Sequence, residues 1–212
     1  MPLPPNLKTA IFVGGPSGSG KTTLVKALAH LGVAYEEDGG KNPHIGRYRD
    51  TGEIDAVANQ WWFLDRIAQF LGSAASSLAV VDQHPFGISI AYARLFHERG
   101  LIPETELSRL HARALEIYSS LSAANVQCLT IALTASSRVL WERLNSRLQG
   151  PRIPERDIYR VNVLFQELVL MAPSMAMNTE VLTLQQEVEA VLQWTREISG
   201  SSRPDNLNGG VK

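Results

Sequence analysis

The residues Gly15-Pro16-Ser17-Gly18-Ser19-Gly20-Lys21-Thr22 fit the pattern G-x-x-x-x-G-K-[ST] and follow directly on the apolar run Ala10-Ile11-Phe12-Val13. Glycines in such a loop permit backbone conformations that turn successive N–H groups inward, and a helix starting near Lys21 adds the positive end of its dipole. The chemistry implied is capture of a polyphosphate. Lys21 reaches the outer phosphates and the Thr22 hydroxyl completes the shell of a Mg2+ ion, with Thr23 beside it in the same binding stretch. A plain Gly/Ser turn is the alternative, but the strand before and the amphipathic helix after are what a phosphate loop requires.

Three further groups carry chemical potential. Asp82 closes the apolar run that ends Val80-Val81-Asp82-Gln83-His84. Arg143 and Arg147 stand four apart, so they share one helix face, separate from the stripe Leu140, Leu144 and Leu148. That face can point at phosphates or lie in solvent paired with Glu142. Glu36, Glu37 and Asp38 form an acidic triplet after the second apolar run, and such triplets are usually solvated turns. His30, His44, His97 and His111 lack the spacing of a metal cluster, and no G-x-S-x-G elbow supports a hydrolase.

These groups need a frame to bring them together. Short apolar runs at 8–13, 33–36, 78–81, 126–133 and 181–184 read as five strands of a fully buried sheet. Helical periodicity fills 21–30, 54–71, 85–99, 104–123, 136–148, 155–170 and 185–198. Strands alternating with longer helices predict an α/β fold, a parallel sheet with helices on both faces. On the helix 54–71 the core stripe is read as Ile54, Val57, Ala58, Trp61, Ala68 and Leu71, with Gln60 beside a second stripe of Phe63, Leu64 and Ile67. Trp61 is assigned to the core and Trp62 to a pocket wall.

The chain has 212 residues, enough for one domain and too few for two ordinary ones. Residues 1–7 and 199–212 are expected to be flexible tails around a domain at 8–198, whose break at 150–154 suggests a lid over about 143–154. With 44% hydrophobic and 19% charged residues the composition is globular. No run approaches a membrane span or a signal peptide, and the single cysteine, Cys128, excludes an internal disulfide and cysteine-pair zinc sites, so a cytoplasmic protein is expected. A formal charge of −1 gives no global attraction to nucleic acid, although a local basic patch is compatible with it. A phosphate loop names a nucleotide but not its use. The guanine-reading N-K-x-D segment of GTPases does not occur, and motor and AAA-type ATPases need longer chains, which leaves the small-molecule kinases.

Glu36-Glu37-Asp38-Gly39-Gly40-Lys41-Asn42-Pro43, Tyr48 and Gln60-Trp61-Trp62-Phe63-Leu64-Asp65-Arg66 together resemble the deoxynucleoside kinases. In that family an E-P-V segment follows strand two, Asn-Pro often lies five and six residues after the Glu, and a helix carries Gln-x-x-[FY]-L with an arginine shortly after it. With the phosphate loop and the arginine helix the resemblance covers about residues 8 to 170. It implies a P-loop NTPase fold in three layers with sheet order 2-3-1-4-5. It also implies ATP and Mg2+ as cofactors, a small-molecule nucleoside or nucleotide acceptor, and commonly a homodimer. Glu37 becomes the candidate general base, Gln60 the reader of the acceptor base, and Tyr48 and Arg66 further acceptor contacts. Asp82 matches both the deoxynucleoside kinases and the thymidylate kinases and would hold Mg2+ with Thr22. Arg143 and Arg147 match the lid that closes over ATP.

Two departures stand out. Gln83 occupies the place of an arginine in both families, and Ile88-Ser89 replaces an Asp-Arg pair. A neutral amide cannot supply an arginine's charge. Three functions follow: phosphorylation of a deoxynucleoside or modified pyrimidine, within DNA included; a thymidylate-like monophosphate kinase; or a nucleotide-binding regulatory module without transfer. In the first, the loop with Lys21, Asp82, Glu37, Arg143 and Arg147 forms the catalytic set, and Gln60, Tyr48, Arg66 and Gln83 the acceptor set; a monophosphate acceptor would not need Glu37 as base.

Overall fold

A computed structural model describes residues 2–36, 41–44, 54–146, 154–167 and 174–201. Five strands form one sheet: β1 (Thr9–Gly14), β2 (Val33–Tyr35), β3 (Leu78–Asp82), β4 (Gln127–Thr134) and β5 (Ser174–Asn178). All neighbours are parallel, in the order β2-β3-β1-β4-β5. This is the sheet order expected of the P-loop NTPase fold. The helices are α1 (Lys21–Leu28), α2 (Ala56–Ser73), α3 (Ala93–Glu98), α4 (Glu104–Ala123), α5 (Ser137–Asn145), α6 (Glu155–Phe165) and α7 (Leu184–Ser201). Among the described residues no helix is long and apolar enough to cross a membrane.

The sheet divides the core. On one face Phe12, Leu64, Ile67, Leu71, Ile88, Leu110, Ile117 and Leu121 pack from β1, α2, α4 and the segment after β3. On the other, Ile11, Val13, Leu24, Leu28, Val80, Ile131 and Val191 join β1, β3, β4, α1 and α7. Alternation along β1 sends Phe12 to one cluster and Ile11 and Val13 to the other, as the two-residue strand period demands. Central strands are buried on both faces, but β2 is only half-buried and β5 partly exposed, so the sheet is not fully covered at its edges.

Three expectations are corrected. The fifth strand is Ser174–Asn178 and not 181–184. Val181 and Leu184 are exposed, and the apolar look of that run belongs to the turn before α7, whereas Met175-Ala176-Met177 pair with Ile131-Ala132-Leu133 of β4. The core face of α2 is Ala56, Asn59, Gln60, Phe63, Leu64, Ile67, Ala68 and Leu71. The second apolar stripe is thus the main one. Trp61 is half-buried at the α4 border, where its indole N–H donates to Glu106 Oε2 at 3.2 Å. Finally, the helix expected over 85–99 is π-helical from Gly87 to Tyr92 before α3 resumes the regular turn. Such widened turns recur at functional sites.

His84 is fully buried under the sheet, against Phe12, Phe86 and Tyr118. The Phe86 amide donates to Nδ1 at 3.1 Å, so the proton sits on Nε2, which lies 2.8 Å from Tyr118 Oη and 3.1 Å from Thr130 Oγ1. The imidazole is a neutral structural bridge and not a charge at the site. Burial pushes its pKa down from 6.5 to about 3. The unfolded chain therefore binds a proton that the folded chain refuses, and His84 supports the fold fully above pH 6.5 and progressively less as pH falls toward 3. We expect stability by urea denaturation to fall by up to about 1.4 kcal/mol per pH unit below 6.5 from this group alone, with the slope flattened in His84→Gln. Equal slopes in the two proteins would remove His84 as the cause.

Candidate active site

β1 delivers the chain to the phosphate loop at its C-terminal edge, and α1 leaves from it at Lys21. Gly15 has φ +155°, and a Cβ there would lie 2.6 Å from Ser19 Oγ and 2.7 Å from the Leu133 carbonyl oxygen. Only glycine lets the loop leave β1 this close to β4. At Gly20, φ is +95° and a Cβ would have nothing within 4 Å, so the loop turns there over open space. Lys21 is 7% exposed, and its ammonium donates to the Pro16 carbonyl at 3.3 Å. A buried ammonium facing a carbonyl and inward-turned amides is short of negative charge, which a polyphosphate would supply. Ser19 Oγ is buried without a partner among the described residues, Pro16 and Gly18 are buried, and Thr23 is exposed.

β3 ends beside this loop because Val13 pairs with Asp82. Asp82 is fully buried, and its Oδ2 accepts the Thr22 hydroxyl at 2.5 Å. These two hard oxygen donors, one anionic, suit Mg2+ with the remaining positions left to phosphates and water. Gln83 follows at φ +126°, a conformation that costs a non-glycine residue about 1–3 kcal/mol. Its amide still donates to the Val13 carbonyl at 3.2 Å, and its side chain is buried. The strain sits where arginine stands in the resembling families.

Gln60 is 1% exposed, and its Oε1 has no partner among the described residues. A buried amide oxygen left open is a costly arrangement unless a ligand satisfies it. α2 packs against the π-helical segment, where Ile88 and Ser89 are also buried and Ser89 Oγ likewise lacks a partner among the described residues. Next to Gln60, Asn59 Oδ1 accepts from Asn42 Nδ2 at 2.9 Å, and Asn42 Oδ1 accepts from the His44 amide at 2.9 Å. Asn42 of the Asn-Pro pair thus fastens the segment after β2 to the helix that carries Gln60. Sequence reading did not single out Asn59, although its position one residue before Gln60 on the buried face was available.

Arg143 lies on the other flank of the loop. Its guanidinium donates to Thr179 Oγ1 at 2.8 Å, to the Thr179 carbonyl at 2.7 Å and to the Gly18 carbonyl at 3.4 Å. It therefore braces loop against β5. The nearby Glu187 of α7 is buried, which raises its carboxyl pKa against the opposing influence of Arg143. Neither Thr179 nor Glu187 is visible from local pattern, since both arrive from the chain beyond β5. Arg66 is not brought to the Gln60 face. It is exposed, bonds to Gln69 at 3.0 Å and sits 5.3 Å over the Trp62 ring, where the two line an open cleft with Asp65 and Arg113. Glu36 is exposed and paired with Lys26 at 3.3 Å. Glu37, Tyr48 and Arg147, with most of the expected lid, lie outside the described residues.

No family model matches the chain. Among solved structures it is similar to deoxyadenosine kinase from M. mycoides. The form with bound dCTP aligns at TM-score 0.68 and 16% identity over 89% of this chain and 100% of that one. The form with dCMP and a flexible dCDP gives 0.68 and 17% over 90% and 100%, and the form with dATP gives 0.67 and 16% over 89% and 99%. The fold is therefore shared along nearly the whole of both chains.

Proposed function

We propose that this chain is an ATP-dependent kinase that transfers a phosphoryl group to a hydroxyl of a nucleoside-like acceptor. One observation carries the reading. A phosphate loop with a buried lysine and a Thr22–Asp82 oxygen pair stand at the C-terminal edge of one parallel sheet, and α2, which carries the buried, open amide of Gln60, packs against the segment that follows β3. That edge is where open α/β sheets bind ligands. The shared fold with a deoxyadenosine kinase supports it.

In this reading the loop amides and Lys21 hold the phosphates of ATP. Thr22 and Asp82 would hold Mg2+, which when bound neutralises phosphate charge. Glu37 takes the proton from the acceptor hydroxyl, two residues beyond the end of β2 at Tyr35. Gln60 offers a donor and an acceptor to the acceptor's base edge. Arg143 braces the loop, and Arg147, four residues further along the chain, is the arginine assigned to the transferred group. Ile88 and Ser89 leave that part of the wall uncharged, which favours a neutral base edge over one read by an ion pair.

ADP release measured with MgATP against deoxynucleosides, nucleoside monophosphates and short oligonucleotides tests the reading. Stimulation by free deoxynucleosides or modified pyrimidine nucleosides is the expected result. Stimulation by monophosphates alone would move the acceptor to the thymidylate-like class, and stimulation by oligonucleotides alone would place it within a strand. Nucleotide binding without stimulation by any of them would leave a binding module.

A further inference from the structure

Tyr92 ends the π-helical segment, and its hydroxyl sits on the phosphate loop. The Ser17 amide donates to Tyr92 Oη at 3.0 Å, and Ser17 Oγ lies 2.9 Å from the same oxygen. Nothing in the sequence pattern marked Tyr92, and Ser17 was read only as one loop residue among eight. The ring of Tyr92 is held edge-on against Phe165 of α6 at 5.5 Å and 76°, and Phe165 also fills the space over Gly87, where a Cβ would lie 2.7 Å from its ring. The phenol is thus positioned by packing from the acceptor side of the site, by the same segment that carries Ile88 and Ser89.

Counting hydrogens shows what this pair can do. Ser17 N–H, Ser17 Oγ–H and Tyr92 Oη–H provide three. One is spent from the amide to the phenol oxygen and one between the two hydroxyls. Exactly one hydroxyl hydrogen remains uncommitted, on serine or tyrosine according to which hydroxyl donates to the other. In the kinase reading it stands where the loop meets the acceptor wall, which is where the outermost phosphate, the group that an acceptor must reach, would lie.

We propose that Tyr92 and Ser17 form a single donor unit that contacts the outermost phosphoryl group of the bound nucleotide, with Tyr92 as its positioning residue. This rests on the kinase reading and deepens it. The unit is neutral, and it supplies a hydrogen bond in a site where Gln83 brings no charge. Either single variant keeps one hydroxyl hydrogen but loses the oxygen that directs it: in Tyr92→Phe the Ser17 hydroxyl loses Tyr92 Oη, and in Ser17→Ala the Tyr92 hydroxyl loses Ser17 Oγ, so the same aimed contact is lost in both.

The test is calorimetry on the full chain with MgADP alone and with MgADP plus beryllium fluoride, a tetrahedral stand-in for the outermost phosphoryl group. The ratio of the two affinities is read, so a general weakening of nucleotide binding cancels. Tyr92→Phe and Ser17→Ala are each expected to cut the beryllium fluoride gain by about tenfold, and the double variant to cut it no further than either single one. An unchanged ratio in Tyr92→Phe, losses that multiply in the double variant, or no gain in the unaltered protein would each overturn the proposal. Failure of every acceptor to stimulate ADP release sinks the kinase reading instead and leaves this ratio measurable.

Discussion

Lys21→Ala is expected to lower acceptor-dependent turnover by about 10³-fold while the protein stays folded. The ammonium is buried yet makes its hydrogen bond to a neutral carbonyl, that of Pro16. Its removal therefore breaks no ion pair among the described residues. When the loop holds a polyphosphate, the same removal strips a positive charge from a site walled off from water, where charge is screened least. The loss grows as charge shifts during transfer, so kcat should fall more than the affinity for MgATP. Steady-state kinetics beside calorimetry with MgATP separates the two. A variant that keeps kcat within tenfold would mean that the loop holds something other than the reacting nucleotide.

Glu37→Gln should cost about 10²- to 10⁴-fold in kcat with nucleoside acceptors, the usual worth of a general base. The carboxylate follows β2, whose last residue Tyr35 pairs with Val81, one residue short of Asp82. Its neighbour Glu36 is exposed and engaged by Lys26, and the base role of Glu37 rests on the resemblance to the deoxynucleoside kinases. The amide keeps size and hydrogen-bonding capacity but cannot take a proton, so KM for the acceptor should move little while the acidic limb of the kcat–pH profile disappears. An acceptor that already carries phosphate arrives without a proton to lose. Retained turnover in this variant would therefore identify a monophosphate as the acceptor.

Much of this site was legible before the structure. The phosphate loop is local, since its glycines, Lys21 and Thr22 are adjacent in sequence and their conformations follow from residue type. Asp82 was legible because a carboxylate at the end of a buried apolar strand has few structural reasons to be there. Other features depend on which elements meet. The core face of α2 could not be chosen between two apolar stripes without knowing that α4 and the π-helical segment both flank it. β5 escaped because Ser174–Asn178 carries weak strand-formers at a sheet edge, while 181–184 mimics a strand in a turn. The Arg143–Thr179 and Ser17–Tyr92 contacts join residues 36 and 75 apart, and the strained backbone of Gln83 is a property of the β3 exit. No periodicity encodes such pairs.

The sheet order separates two inventories of parts. In the proposed reading, groups that grip the donor come from the β1–α1 connection and the tip of β3, whereas the acceptor wall is assigned to α2 and the segment following Asp82. Substitutions at Gln60, Ile88 or Ser89 leave the loop, Lys21 and Thr22 untouched, so new acceptors can be explored by drift on one half while the other is conserved in form. The same scaffold thereby becomes a natural starting point for laboratory evolution toward altered nucleosides, with libraries confined to the wall.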